Sequence, residues 1–243
     1  MKKITLFIGH RGTLVDYDEN TLEAFEIAIK SGANCIELDV RRTKDRKLIV
    51  FHDNTLTRTT NSKGLLNNLT YNDVKNLKTK KRNQNVPLLD EFMDYITSKT
   101  QVIIHLKDEG IEKEIFDLIN KRGVLKNCII SGRDINRLKR YKKTFKSIRT
   151  CFNITKGRGL NLKEFIEKGC RKNLKGLPDM INIRSDLISN QFIDVCHVND
   201  IKSLAWGFMG YEQPLQVIKS LISNQIDGIL FDDYHNLKII RGN

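Results

Sequence analysis

Short runs of apolar and β-branched residues recur along the chain at 4–8 (ITLFI), 35–40 (CIELDV), 101–106 (QVIIHL), 127–131 (NCIIS), 147–153 (SIRTCFN), 180–184 (MINIR), 203–208 (SLAWGF) and 228–232 (GILFD). Their length and composition are those of buried strands. Between them, helical patterns fall at about 20–31, 88–99, 111–122, 134–144, 160–170, 189–199 and 212–223. Strands alternating with helices of this length predict βαβ units and a parallel sheet. Eight such strands predict an α/β chain closed as a (β/α)8 TIM barrel, with its chemistry at the C-terminal ends of the strands. The alternative is an open doubly wound sheet, but no G-x-G-x-x-G follows the first strand.

Local signals refine this outline. Asn20 is expected to cap the first helix, with Glu23 completing a capping-box-like pair; Leu22, Phe25, Ala28 and Ile29 form its apolar stripe, and Ser31-Gly32 stops it. A ninth strand-like run, 48–52 (LIVFH), follows strand 2 after only Lys44-Asp45-Arg46-Lys47. That gap is too short for a parallel crossover, which takes about a dozen residues or more. The run is therefore expected to return antiparallel as a hairpin arm, with His52 opposite Asp39. Residues 53–87 read as a small polar insertion with a short helix at about 71–78, within one barrel domain spanning 1–243. Insertions after barrel strands often carry specificity.

Composition narrows the class. Hydrophobic residues make up 40% and charged residues 29%, enough for a sizeable core. No apolar run approaches the roughly 20 residues of a membrane span. The opening run ends at Gly9-His10-Arg11, short of the roughly 7–15 apolar residues of a signal peptide, so a buried first strand and a cytoplasmic location are expected. Five scattered cysteines without a C-x-x-C pair point to reduced core residues, neither a zinc ribbon nor a disulfide framework. A net charge of +13 is compatible with nucleic acid, a membrane surface or a phosphate-bearing substrate. Abundant Lys, Asn and Ile make a general compositional bias the simpler source. The basic residues lack aromatic interleaving, so nucleic acid is not expected as a partner, while peripheral contact with anionic lipid remains compatible.

The chemistry-bearing residues cluster at predicted strand ends. Glu37 and Asp39 lie two apart, so their side chains leave one face, about 6.6–6.8 Å apart along the strand. Two such carboxylates need a neutralising partner, and oxygen ligands suit Mg²⁺ or Ca²⁺. Pairing with Arg41 or Arg42 would serve equally. His10 ends strand 1 and His52 ends the hairpin arm; two histidines near a carboxylate pair can take and give a proton. Arg11 can hold a phosphoryl oxygen or make a surface salt bridge. His105 and Lys107 share a face of strand 3, where Lys107 can neutralise a phosphate oxygen or simply be solvated.

These residues carry a family resemblance. His10-Arg11-Gly12, Glu19-Asn20-Thr21 with Phe25, Gly32-Ala33 and Ile36-Glu37-Leu38-Asp39-Val40 resemble the glycerophosphodiester phosphodiesterase family. The likeness continues through Thr43, Asp45, His52-Asp53 and Leu56-Thr57-Arg58-Thr59-Thr60-Asn61. Val86-Pro87-Leu88-Leu89-Asp90-Glu91 looks like the family's proline-led helix start, and Trp206, Asp227-Gly228-Ile229 and Asp232 resemble its last two strands. The resemblance is dense over the first 61 residues and thin between 110 and 200. It implies hydrolysis of a small-molecule glycerophosphodiester to glycerol 3-phosphate and an alcohol. By the same resemblance, His10 and His52 are the acid–base pair and Glu37 and Asp39 ligate a divalent cation. Arg11 and Lys107 contact phosphate, and Trp206 walls the glycerol or simply packs in the barrel.

One departure matters most. The family's third metal ligand is a glutamate in an E-x-K pattern, and here that position is His105, in His105-Leu106-Lys107. A nitrogen ligand shifts preference toward Mn²⁺ or Zn²⁺ and removes a negative charge. Three readings follow: an enzyme with altered metal preference and His105 as ligand, a site that uses Glu109, or a weakened, phosphate-binding homologue. A lysophospholipase D-like activity on larger lipids is the rival substrate reading. Smaller departures are Asp18 for proline, Gly207-Phe208 after Trp206, and Phe231 for threonine.

Overall fold

The computed structural model describes residues 6–96, 99–169 and 176–242. Positions 4–5 of the first predicted strand, positions 97–98 and 170 of two predicted helices, and Cys170 lie outside them. Eight parallel strands form a closed ring: β1 (Leu6–His10), β2 (Cys35–Arg42), β4 (Gln101–Leu106), β5 (Cys128–Gly132), β6 (Arg149–Asn153), β7 (Met180–Arg184), β8 (Lys202–Trp206) and β9 (Gly228–Phe231). Pairing of β1 with both β2 and β9 closes it. A ninth strand, β3 (Leu48–Val50), lies antiparallel on β2. The expected TIM barrel is therefore present, and no described helix is long and apolar enough to cross a membrane.

Strand parity builds both layers of the barrel. Ile8, Cys35, Ile103, Ile129, Met180 and Leu204 fill the inner cluster. Residues of opposite parity, among them Ile36, Leu38, Ile104, Ile130 and Ile181, join the outer core beneath the helices. Because side chains alternate along a strand, the residue two past each inner apolar one points inward near the C-terminal mouth. Those residues are His10, Glu37, His105, Ser131, Asn182 and Trp206 in the same order, and every one is polar or bears a polar atom. Period two thus gives each strand an apolar plug and a chemical tip.

The helices cover the outside: α1 (Leu22–Lys30), α3 (Leu89–Ile96), α4 (Glu112–Lys121), α5 (Ile135–Thr144), α6 (Leu162–Gly169), α7 (Asn190–Val198) and α8 (Pro214–Ser223). A further helix, α9 (Tyr234–Arg241), has no counterpart among the predicted elements. Asp233 caps it and buried Leu237 anchors it. The insertion holds α2 (Tyr71–Val74), shorter than predicted, with Thr70 and Asp73 forming a reciprocal capping box. Ile49, Phe51, Leu56, Leu66, Val74 and Val86 give the insertion and β3 their own small core.

Two local expectations change. Thr21, not Asn20, caps α1: its side chain accepts from Ala24 N, while Asn20 sits at φ +60°. An N-cap needs extended backbone, so the left-handed Asn20 is excluded; its amide instead donates to Asp39 Oδ2 at 3.0 Å. The hairpin forms, but Val40 faces Val50 and Phe51 N donates to Asp39 O, so Asp39 lies opposite Phe51 and not His52. Thr43 N bonds Lys47 O, with Arg46 at φ +65°. The loop is therefore a three-residue one with a left-handed third residue, one shorter than the four-residue turn read from the sequence.

Candidate active site

The turn after β1 sets the first part of the site. A Cβ at Gly9 would lie 2.7 Å from Ala28 Cβ, and one at Gly12, φ +82°, 2.6 Å from the Ala24 backbone. Only glycine allows this approach of the loop to α1. Between them Arg11 takes φ +51°, an uncommon conformation for a side-chain-bearing residue. The bend brings Arg11 N to 3.2 Å from Glu37 Oε2, Nε to 3.1 Å from Asp39 Oδ2 and Nη1 to 2.9 Å from Glu19 Oε1. Arg11 is thus a largely covered, doubly paired residue, with its side chain 16% exposed.

Each histidine has its own aspartate. His10 Nδ1 lies 2.5 Å from Asp232 Oδ1, and Asp232 Oδ2 accepts from Phe208 N at 3.0 Å. His52 Nδ1 lies 2.5 Å from Asp53 Oδ1, whose other oxygen accepts from Arg58 Nε. Their electrostatics differ. Burial opposes the charged form of His10, but the hydrogen bond and charge of Asp232 outweigh it and raise its pKa. Burial, joined by the Lys107 and Arg11 charges, outweighs Asp39 at His52 and brings its pKa down to about 4.

Between the histidines lie Glu37 and Asp39, 3% and 1% exposed. Burial and the neighbouring Asp39 charge push Glu37 up to about 7. Burial acts on Asp39 as well, yet Lys107 and Arg11 hold it well below the usual carboxylate range. Burial together with Lys107 keeps His105 neutral, with its ring lone pair free for a cation. Glu37, Asp39 and His105 offer one ligand atom each within 4.8 Å of one another. Asp39 Oδ1 is 2.9 Å from Lys107 Nζ but makes no aligned hydrogen bond. Two buried carboxylates, a neutral imidazole and an unspent carboxylate lone pair fit a divalent cation.

The alternatives for these residues are not realised. Arg41 pairs with Asp108 at 2.6 Å, and Arg42 reaches Gly110 O and Glu114, so neither neutralises Glu37 or Asp39. Glu109 is 80% exposed and lies 3.7 Å from Arg158, apart from the carboxylate pair. Of the predicted residues, His10, Arg11, Glu37, Asp39, His105, Lys107 and Trp206 line one cleft. His52 stands beside it, within electrostatic reach of Asp39 and Lys107.

Several residues were given no role from the sequence, though Glu19, Asp53 and Asp232 stand in the motifs that carry the resemblance. Arg133, Asn153 and Asn182 complete the cleft, Asp232 and Asp53 orient the histidines, and Glu19 bridges Arg11 and Arg58. The inward parity that singles out His105 also marks Ser131 and Arg133 after Ile129, Asn153 after Cys151 and Asn182 after Met180. That signal needs strand limits accurate to one residue. None of the four described cysteines lines the cleft: Cys35, Cys128, Cys151 and Cys196 are buried, and burial pushes Cys128 and Cys151 up to about 12.

Residues 10–235 match the sequence pattern of the glycerophosphoryl diester phosphodiesterase family. A glycerophosphodiester phosphodiesterase of Caldanaerobacter subterraneus subsp. tengcongensis is 30% identical over 246 residues, covering 96% of each chain. One of Bacillus altitudinis is 29% identical, covering 94% of this chain and 95% of its own. The solved structure of a glycerophosphodiester phosphodiesterase from Agrobacterium tumefaciens superposes with a TM-score of 0.81 at 22% identity, over 97% of this chain and 100% of that one.

Proposed function

Because the chain belongs to the glycerophosphoryl diester phosphodiesterase family, we propose that it is a metal-dependent phosphodiesterase that releases glycerol 3-phosphate and an alcohol from glycerophosphodiesters, with residues 1–243 acting as one barrel domain. The observation that carries the residue assignment is the opposite tuning of two aspartate-anchored histidines across a buried carboxylate pair. His52, neutral, takes the proton of the attacking hydroxyl, which is either water or the glycerol 2-hydroxyl; in the second case water then opens the cyclic phosphodiester so formed to give glycerol 3-phosphate. His10, kept protonated by Asp232, gives a proton to the oxygen of the departing alcohol as its bond to phosphorus breaks. Each aspartate fixes its ring so that Nε2 is presented to the substrate, as orienting carboxylates do for catalytic histidines.

Arg11 and Lys107 bind the non-bridging phosphoryl oxygens, where negative charge is shared as the bond breaks. Both are fixed by Asp39, so their reach is set before substrate arrives. Glu37, Asp39 and His105 would hold the divalent cation, which supplies Lewis-acid polarisation of a phosphoryl oxygen when bound. The imidazole of His105 favours Mn²⁺ or Zn²⁺ over the Ca²⁺ or Mg²⁺ expected of an all-carboxylate set. Trp206 walls the glycerol.

The test is glycerol 3-phosphate release from glycerophosphocholine with Mg²⁺, Ca²⁺, Mn²⁺, Zn²⁺ or chelator, for wild type and His105→Glu. Wild type turns over best with Mn²⁺ or Zn²⁺ and stops with chelator, and His105→Glu moves the preference toward Mg²⁺ or Ca²⁺. Release by neither protein with any metal would sink the reading. Release by the mutant alone would identify the natural site as degenerate.

A further inference from the structure

The wall of the cleft formed by β5 to β8 carries polar atoms without protein partners. Arg133 Nε, Asn153 Oδ1, Asn182 Oδ1 and Trp206 Nε1 are each buried without a hydrogen-bond partner, and all four residues line the cleft that holds Glu37 and Asp39. Asn153 and Asn182 are each only 6% exposed. Buried polar atoms are normally satisfied, and an isolated exception is unremarkable in a protein of this size. Four converging on one cavity point to a ligand that brings the missing partners: donors for the two amide oxygens, acceptors for the guanidinium and indole.

Arg133 sets the charge of that ligand. The other cations of the cleft are spent on carboxylates, Arg11 on Glu19 and Asp39, and Lys107 on Asp39. Arg133 makes no ion pair with any described carboxylate and no side-chain hydrogen bond through Nε. In the parallel register His105 faces Ser131, so Arg133, two past Ser131, stands beside Lys107 and opens the arc of the cleft that runs on through Asn153, Asn182 and Trp206, away from Arg11.

We propose that Arg133, with Asn153, Asn182 and Trp206, binds a second anionic group on one arm of the diester, so that the preferred substrate is a glycerophosphodiester carrying a carboxylate or phosphate in addition to its scissile phosphate. This rests on the phosphodiesterase reading above. The amides hold hydroxyl or ammonium donors on the same arm, and the guanidinium holds the anion through charge-assisted hydrogen bonds. An arm ending in a quaternary ammonium meets Arg133 with like charge and is disfavoured.

The experiment compares kcat/KM for glycerophosphocholine, glycerophosphoserine and a glycerophosphodiester whose second alcohol is glycerol phosphate, in wild type, Arg133→Gln and Arg133→Lys. Wild type favours one or both anionic arms over choline by about tenfold, the scale of one charge-assisted contact. The two anionic substrates tell carboxylate from phosphate. Arg133→Gln brings the ratio to about one by losing rate on the anionic arms alone, and Arg133→Lys restores part of the preference. Equal rates on all three substrates in wild type overturn the proposal. So does a uniform loss in Arg133→Gln, which would place the guanidinium on the scissile phosphate.

Binding is read separately. Trp206 is the chain's one tryptophan, so its fluorescence reports occupancy without turnover. Tighter titration by the anionic-arm diesters that disappears in Arg133→Gln, with no hydrolysis of any diester, keeps the anion site and rejects the phosphodiesterase reading. Hydrolysis without charge preference does the reverse. Neither hydrolysis nor charge-dependent binding rejects both.

Discussion

The two walls of the cleft are built on opposite principles. On the wall of β1, β2, β4 and the hairpin, the histidines and cations given work in the reaction each have a carboxylate partner: His10 with Asp232, His52 with Asp53, Arg11 with Glu19 and Asp39, Lys107 with Asp39. The buried atoms left there without an aligned hydrogen bond, Arg11 Nε and Asp39 Oδ1, still face ion-pair partners, Asp39 Oδ2 and Lys107 Nζ. On the wall of β5 to β8, Arg133, Asn153, Asn182 and Trp206 each retain a buried polar atom with no partner. The difference separates groups whose protonation and aim must be fixed before substrate arrives from groups whose partner is the substrate. A proton-transfer residue without an orienting partner would sample wrong tautomers. A recognition residue already satisfied by the protein would gain little from the ligand.

The largest effects should come from the partnered wall. His10→Ala and His52→Ala are each expected to lower kcat by about 10²–10⁴-fold, the usual worth of one general acid or base. KM should change far less, because neither ring is assigned to binding. Near-normal turnover in both variants, measured as glycerol 3-phosphate release, would remove the acid–base assignment. Asp232→Asn tests the tuning of one of them. The folded-state pKa of His10 is raised by Asp232, so removing the carboxylate charge lowers it. His10 acts protonated, and the alkaline loss of kcat/KM should then begin at a lower pH than in wild type. An unmoved alkaline limb would mean that His10 is not the acid.

The partnered wall was also the legible one. His10, Arg11, Glu37, Asp39 and His52 stand in dense motifs within the first 61 residues, where spacing alone puts Glu37 and Asp39 on one face. Of the unpartnered wall the sequence marked Trp206 alone; Arg133, Asn153 and Asn182 fall one to a strand in the thin stretch between 110 and 200, where no local pattern marks them. Arg133 also lies one residue beyond the end of β5, where a strand limit drawn at 131 leaves it in a loop. The barrel itself was readable because its strands are continuous apolar runs with helices between. The hairpin register was not, since a three- and a four-residue loop differ only in whether Arg46 adopts a left-handed backbone. The cap of α1 failed for the same reason at Asn20. Both errors concern backbone conformations that residue type favours only weakly outside glycine.

The smallest effects should fall on the stability of the unpartnered wall, and they sharpen the contrast. Asp18, at the position where the family usually has proline, supplies the reference. It is buried, and its carboxylate accepts from Thr79 Oγ1 at 2.8 Å, Lys81 N at 3.1 Å and Arg82 N at 2.7 Å. It thereby pins the turn of the insertion to the loop before α1. Asp18→Ala strands these donors and should cost about 2–4 kcal/mol, given roughly 1–3 kcal/mol for each unsatisfied buried group and incomplete additivity. Asn153→Ala and Asn182→Ala strand nothing, because the lost oxygens have no protein partner. Their removal should leave urea-unfolding stability within about 0.5 kcal/mol of wild type, or slightly above it, since an unsatisfied buried polar atom is itself destabilising. The same variants should raise KM severalfold. Stability losses in Asn153→Ala as large as in Asp18→Ala would mean that the amide supports the barrel, and the far wall would then be framework like the rest of the core. Intact stability with raised KM is the signature of a surface whose hydrogen bonds are completed only by the substrate.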